Sequence, residues 1–106
     1  MKKILILALI LCAKTAFADE KIFSTEIKNH RFEPSVIEVP ANQKFFLIVK
    51  NLDKTAEEFE SETLQKEKIV KGEKEIKLPI KPLKPGEYPF FGEFHAKTAQ
   101  GKIIAK

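Results

Sequence analysis
Beyond residue 18 this chain never sustains the apolar spacing of a long amphipathic helix. It breaks instead into runs of four to seven residues closed by proline, glycine or asparagine. That punctuation restricts it to short strands. Residues 22–28 alternate, with Phe23, Thr25 and Ile27 on one parity and Ile22, Ser24 and Glu26 on the other. Residues 35–39 resume with β-branched side chains and stop at Pro40, which has no amide hydrogen for a ladder. Residues 44–50 enclose Phe45-Phe46-Leu47-Ile48-Val49, an apolar run short enough for a central strand. Further strands are expected over 57–60, 68–71, 73–78, 88–91 and 102–105, with a helical turn over 61–67 capped by Ser61. Residues 29–34, 51–56 and 79–85 connect them, the last with three prolines. About eight short strands predict an all-β fold, an antiparallel β-sandwich, with an open barrel as the competitor. Its expected core is Phe45, Leu47, Val49, Phe59, Tyr88 and Phe90, and Phe94 also reads as a core aromatic.

The first eighteen residues read as a separate segment. Met1-Lys2-Lys3 is a basic start, residues 4–11 are apolar, and Ala16-Phe17-Ala18 supplies the small residues of a signal peptidase site. The apolar run is too short for a stable bilayer span, and Leu11 before Cys12 is too large for a lipoprotein cleavage site. Residues 1–18 are expected to be a signal peptide cleaved after Ala18, and residues 19–106 one exported, periplasmic domain with no stable membrane span. Lys2, Lys3 and Lys14 leave with that segment, so sixteen basic residues then face fifteen acidic ones, a net charge of about +1. Lysines and glutamates interleave, which excludes nucleic acid as a partner. Cys12 and Met1 leave too, and no sulfur ligand or disulfide remains.

Two stretches carry a resemblance. The first is Gly86-Glu87-Tyr88-Pro89-Phe90-Phe91-Gly92-Glu93-Phe94-His95, followed by a final strand at 102–105. It resembles the C-terminal hairpin of the cupredoxins, Greek-key β-sandwiches that hold a metal at one end. There the strand reads G-x-Y-x-F-x-C and a histidine follows three residues later; here Gly92 stands at the cysteine position and His95 at the histidine. The second is Asn51 to Ser61, which is similar to the cupredoxin loop that begins with Asn and ends on the first histidine ligand, a position held here by Glu57. Together with Phe32-Glu33-Pro34, Val39-Pro40-Ala41 and Glu57-Glu58-Phe59-Glu60-Ser61, these resemble one branch. That branch is the cupredoxin-like domain of periplasmic ferrous-iron-transport systems, the EfeO type.

The resemblance implies a metal site on Glu57 and His95, with Ala99 or Gln100 near the usual methionine and nothing for a thiolate. A type 1 blue-copper centre needs that thiolate and is excluded. Imidazole plus carboxylate suits one ion of harder character, Cu(II) or Fe among them. The residues support this in part. If each strand reverses its predecessor, the loops at 29–34, 51–56 and 92–101 share one end, which gathers His30, Glu57, Glu93 and His95. Within 57–60, Glu57 and Phe59 share a face, so a core Phe59 turns Glu57 inward and leaves Glu58 and Glu60 to solvent. Glu57 and His95 are therefore the first candidate ligands, and Glu93 and His30 the lesser ones. Surface carboxylates are common, and His30 beside Phe32 reads equally as a packing residue. No nucleophilic triad, phosphate loop or Cys-x-x-Cys motif is present. The resemblance further implies a role in iron uptake beside an inner-membrane iron permease or another periplasmic uptake component. The chain would present iron or support oxidation of Fe(II). A non-catalytic metal-binding module and a metal-free β-sandwich adaptor are the alternatives.

Overall fold
The computed structural model describes residues 20–106, so the expected signal peptide and its cleavage site lie outside the described residues. Among the described residues nine strands form: β1 Ile22–Lys28, β2 Arg31–Glu33, β3 Val36–Val39, β4 Phe45–Asn51, β5 Glu57–Ser61, β6 Lys66–Val70, β7 Glu75–Ile80, β8 Gly86–Gly92 and β9 Gln100–Ala105. One 3-10 turn, Glu93–His95, lies between β8 and β9. The strands make two sheets, ordered β2-β1-β4-β7 and β3-β9-β8-β5-β6, in a Greek-key β-sandwich. All pairs are antiparallel except β1 with β4 and β3 with β9, which are parallel.

The extra strand is β2, which sits inside the expected 29–34 connection. It pairs back on β1, with Lys28 opposite Arg31, across a two-residue turn in which Asn29 and His30 are both left-handed, φ 53° and 59°. This is the geometry a right-twisted hairpin needs. The chain then crosses between sheets at Pro34-Ser35. The Thr25 hydroxyl donates to the Pro34 carbonyl at 2.8 Å, and the Lys102 amide donates to that of Ser35 at 2.8 Å. Because β2 and β3 lie on either side of this crossing rather than around a reversal, the added strand does not move the later loops to the other end.

Alternation sets the core. Phe45, Leu47 and Val49 of β4, Phe59 of β5 and Phe90 of β8 are fully buried between the sheets. Phe32, Phe59 and Phe90 form an aromatic cluster, with Phe90 edge-on to Phe32 at 4.9 Å and tilted on Phe59 at 5.1 Å. Tyr88 is only partly buried against the hydrophobic core, and its hydroxyl donates to the Lys84 carbonyl at 2.7 Å. Phe94, expected in the core, is instead half exposed. The period-two pattern ends at Gly92, and the 3-10 turn carries the next side chains outward.

The helical turn expected over 61–67 is only a tight turn. Ser61 does cap it, accepting the Leu64 amide at 3.2 Å, but Gln65 turns left-handed, φ 55°, and β6 begins at Lys66. Two prolines stand inside strands. Pro79 lies in β7, which is the edge of its sheet. Pro89 lies in β8 beyond the last residues paired to β5, and its carbonyl accepts the Ser61 hydroxyl at 2.7 Å. Its missing amide hydrogen thus faces a side where the ladder has already stopped.

Candidate metal centre
Three loops converge at one end of the sandwich, and a buried asparagine organises the middle one. Asn51, at the end of β4, is fully buried. Its amide donates to the carbonyls of Thr55 at 2.9 Å and Val70 at 3.1 Å, and its side-chain oxygen accepts the Asp53 amide at 3.0 Å. That fold of the loop aims the Asp53 carboxylate at the β1–β2 turn, where it accepts the amides of Asn29 at 2.8 Å and His30 at 2.9 Å. Burial pushes the Asp53 carboxyl up, but these two amides and the neighbouring His30 and His95 outweigh it and hold it below its ordinary range.

The loop returns to the core at Glu57, whose parity with Phe59 turns it inward; it is 1% exposed. Its carboxylate is fully engaged. One oxygen, Oε2, accepts the amides of Phe94 at 2.8 Å and Glu58 at 3.1 Å. The other, Oε1, accepts from Nδ1 of His95 at 2.7 Å. Room for this comes from Gly92: a Cβ there would lie 2.5 Å from Cδ of Glu57, 2.7 Å from its Oε1 and 2.8 Å from Cβ of Ala99. The space over Gly92, which the resemblance sets at the cysteine position, is thus filled by a carboxylate from the neighbouring strand β5, and with no sulfur among residues 20–106 a type 1 copper centre does not fit. The donors present, imidazole and carboxylate, do suit a single harder ion.

His30 lies flat on His95, ring centroids 3.6 Å apart and planes 8° apart. Thr98 ties the same loops, its hydroxyl donating to the His30 carbonyl at 2.7 Å. The structure therefore brings Glu57, His95 and His30 together. Glu93 is exposed, and no hydrogen bond joins it to that group among the described residues. Its charge falls instead on Glu58 and Glu60. Those two, with Glu67 across the β5–β6 pair, bring one carboxylate oxygen each within 4.8 Å of the others on the outer face. Desolvation, followed by the hydrogen bonding and charge of Glu67, pushes the Glu58 carboxyl up; desolvation and the charges of Glu67 and Glu93 do the same to Glu60.

Sequence reasoning missed Asp53, Thr98 and Glu67. The Asn51-Leu52-Asp53 run is a turn signal that could have singled out Asp53. Thr98 carries no signal of its own.

A family model described as a cupredoxin-like domain matches residues 3–105. An uncharacterized protein of Rickettsia prowazekii (strain Madrid E) is 53% identical over 78 residues, which are 74% of this chain and 62% of that relative's length. This chain thus spans less than two thirds of that relative. Among solved structures, auracyanin A, a "blue" copper protein from Chloroflexus aurantiacus, superposes with a TM-score of 0.69 at 10% identity, covering 83% of this chain and 100% of that one. A purple cupredoxin from Nitrosopumilus maritimus gives 0.61 at 13%, over 79% and 99%. Amicyanin from Paracoccus versutus gives 0.64 at 12%, over 86% and 87%. At these identities the likeness is one of fold. Among the described residues, no helix is long and apolar enough to cross a membrane.

Proposed function
Because this chain belongs to the cupredoxin-like domain family, we propose that it binds one metal ion at its Glu57–His95 end and serves iron uptake in the periplasm. The observation that carries this reading is the buried Glu57 carboxylate, seated over Gly92 and bonded to Nδ1 of His95 at 2.7 Å. With no sulfur among residues 20–106, the imidazole and the surrounding carboxylates favour Cu(II) or iron over a type 1 copper centre. His95 and Glu57 form the heart of the site and His30 lies against it, while Glu93 and the other outer carboxylates raise the local cation concentration.

The proposed branch is the ferrous-iron-transport type, and the partner an inner-membrane iron permease or another periplasmic uptake component. The chain either presents iron to that partner or supports oxidation of Fe(II) to Fe(III). A bound metal would supply a redox-active Lewis acid here, and the negative charge of the surrounding carboxylates favours the ferric state. Each Fe(II) oxidised releases one electron, which an acceptor outside this chain has to take.

Calorimetric titration with Cu(II) and anaerobic Fe(II) tests the reading. The parent should bind one ion, and His95→Ala should bind far more weakly while keeping its fold. Parent-like binding by His95→Ala overturns it. Turnover of Fe(II) with a defined acceptor then separates oxidation from simple presentation. A metal-free adaptor draws on one feature: no buried side-chain polar atom lacks a partner among the described residues. Stoichiometric binding of either ion removes that alternative.

A further inference from the structure
His30 occupies a constrained position. It is the second residue of a two-residue hairpin turn and is left-handed, φ 59°, where such turns ordinarily carry glycine. Histidine is among the residues that tolerate this conformation, and here the turn displays its ring toward a neighbour. What it touches is one face of the His95 ring, at 3.6 Å between centroids and 8° between planes. The backbone that presents it is secured from both sides, by the Asp53 carboxylate on its amide at 2.9 Å and by the Thr98 hydroxyl on its carbonyl at 2.7 Å. Thr98 belongs to the same loop as His95, so turn and ligand loop are fastened together.

This stack settles what the two rings can do for one ion. A nitrogen lone pair lies in the plane of its ring. Planes 8° apart and stacked at 3.6 Å keep the lone pairs of the two rings in separate, nearly parallel planes, so they do not converge on a point about 2.0–2.1 Å from each nitrogen. His30 and His95 therefore do not share an ion in this arrangement. The nitrogens of His95 also have separate duties. Nδ1 is held by Oε1 of Glu57 at 2.7 Å, and Nε2 has no hydrogen-bond partner among the described residues. An imidazole whose one nitrogen donates to a buried carboxylate is fixed in tautomer and orientation, with the other nitrogen made a better donor.

We propose that His30 is a positioning residue for the metal site: its ring braces the face of His95, so that Nδ1 stays on the Glu57 carboxylate and Nε2 is the atom that takes the cation. Glu57 then acts through His95 rather than as the ion's own ligand. This rests on the reading that His95 is a ligand at all, and the experiment keeps the two apart.

Zn(II) serves as the probe, because it is diamagnetic and allows the ring nitrogens to be read. The parent, His30→Gly, His30→Phe and His95→Ala are titrated with Zn(II), and ring ¹⁵N spectra are recorded with and without it. His30→Gly suits the left-handed turn, so it should unfold at or near the parent's temperature yet bind Zn(II) about 10- to 100-fold more weakly. His30→Phe keeps a flat ring without a nitrogen and should restore most of that loss. In the parent, the Zn(II)-dependent shift should fall on Nε2 of His95. Equal weakening in His30→Gly and His30→Phe would make His30 a ligand and overturn the proposal, as would parent-like binding in both, or a Zn(II) shift on Nδ1. Parent-like binding by His95→Ala would instead overturn the site reading beneath it.

Discussion
Gly92 and Glu57 are one feature seen from two strands. The carboxylate fills the space above the glycine, and its two oxygens collect two amides and one imidazole. Gly92→Ala would drive a methyl group into Cδ of Glu57, which lies 2.5 Å from where it would sit. Its other close neighbour, Cβ of Ala99, is itself fully buried and cannot yield easily. The variant is expected to lose about 1–3 kcal/mol of stability and to bind metal more weakly, because the displaced carboxylate no longer holds His95. Chemical denaturation and a Zn(II) titration check both halves, and parent-like values in each would show that the contact is slack. The inward aim of Glu57 was legible because Phe59, two residues on, is an unmistakable core side chain. The partners of Asp53 and Thr98 were not, since their bonds reach residues 23 and 68 positions away; a turn signal marks Asp53 but does not say what it holds.

The β1–β2 hairpin shows how an element escapes a sequence pattern while the fold around it does not. β2 has three residues with one buried side chain, Phe32, too short for alternation to register. Its turn reads Asn-His rather than Asn-Gly, so the strongest hairpin signal is missing. What holds it is Asp53, whose carboxylate accepts both turn amides. Asp53→Ala should cost about 1–2 kcal/mol, since these are charge-assisted bonds at a partly exposed site. The pH dependence has a fixed sign. Burial raises the Asp53 carboxyl, but the amides of His30 and Asn29 and the nearby histidines bring its net position below the ordinary 3.8. A carboxylate lowered by folding stabilises the fold above its ordinary value and loses that contribution as pH falls through and below it. The gap between parent and Asp53→Ala should therefore be full near neutrality and close on acidification below the ordinary carboxylate range. Denaturation series at several pH values measure it, and a gap that persists at the acid end would remove Asp53 as the clamp.

At the scale of the whole molecule, the count of chain reversals put the loops at 29–34, 51–56 and 92–101 at one end, and that end survived an error in the strand count. β2 and β3 flank a crossing between sheets at Pro34-Ser35, so a ninth strand was added without exchanging the ends. The parallel pairs β1–β4 and β3–β9 were not legible, because alternation fixes which face is buried and not which strand lies alongside. What the sequence does fix beyond geometry is chemistry: its one cysteine and one methionine are Cys12 and Met1, so residues 20–106 contain no sulfur. An intense visible band from copper in this fold requires a thiolate ligand, and the space for one is occupied by Glu57. Cu(II) added to the protein should therefore give a pale centre with a type 2 electron paramagnetic resonance signal and no intense absorption near the blue-copper region. Nitrogen hyperfine structure from one imidazole should be present in the parent and absent in His95→Ala. Because the loops are already fastened by Asp53, Thr98 and Asn51, the far-ultraviolet circular dichroism should not change on binding. The melting temperature should rise with free Cu(II), as it does for any ligand that binds only the folded state. An intense blue colour in the purified monomer would overturn the donor set, and the carboxylate over Gly92 could not then be the resting arrangement.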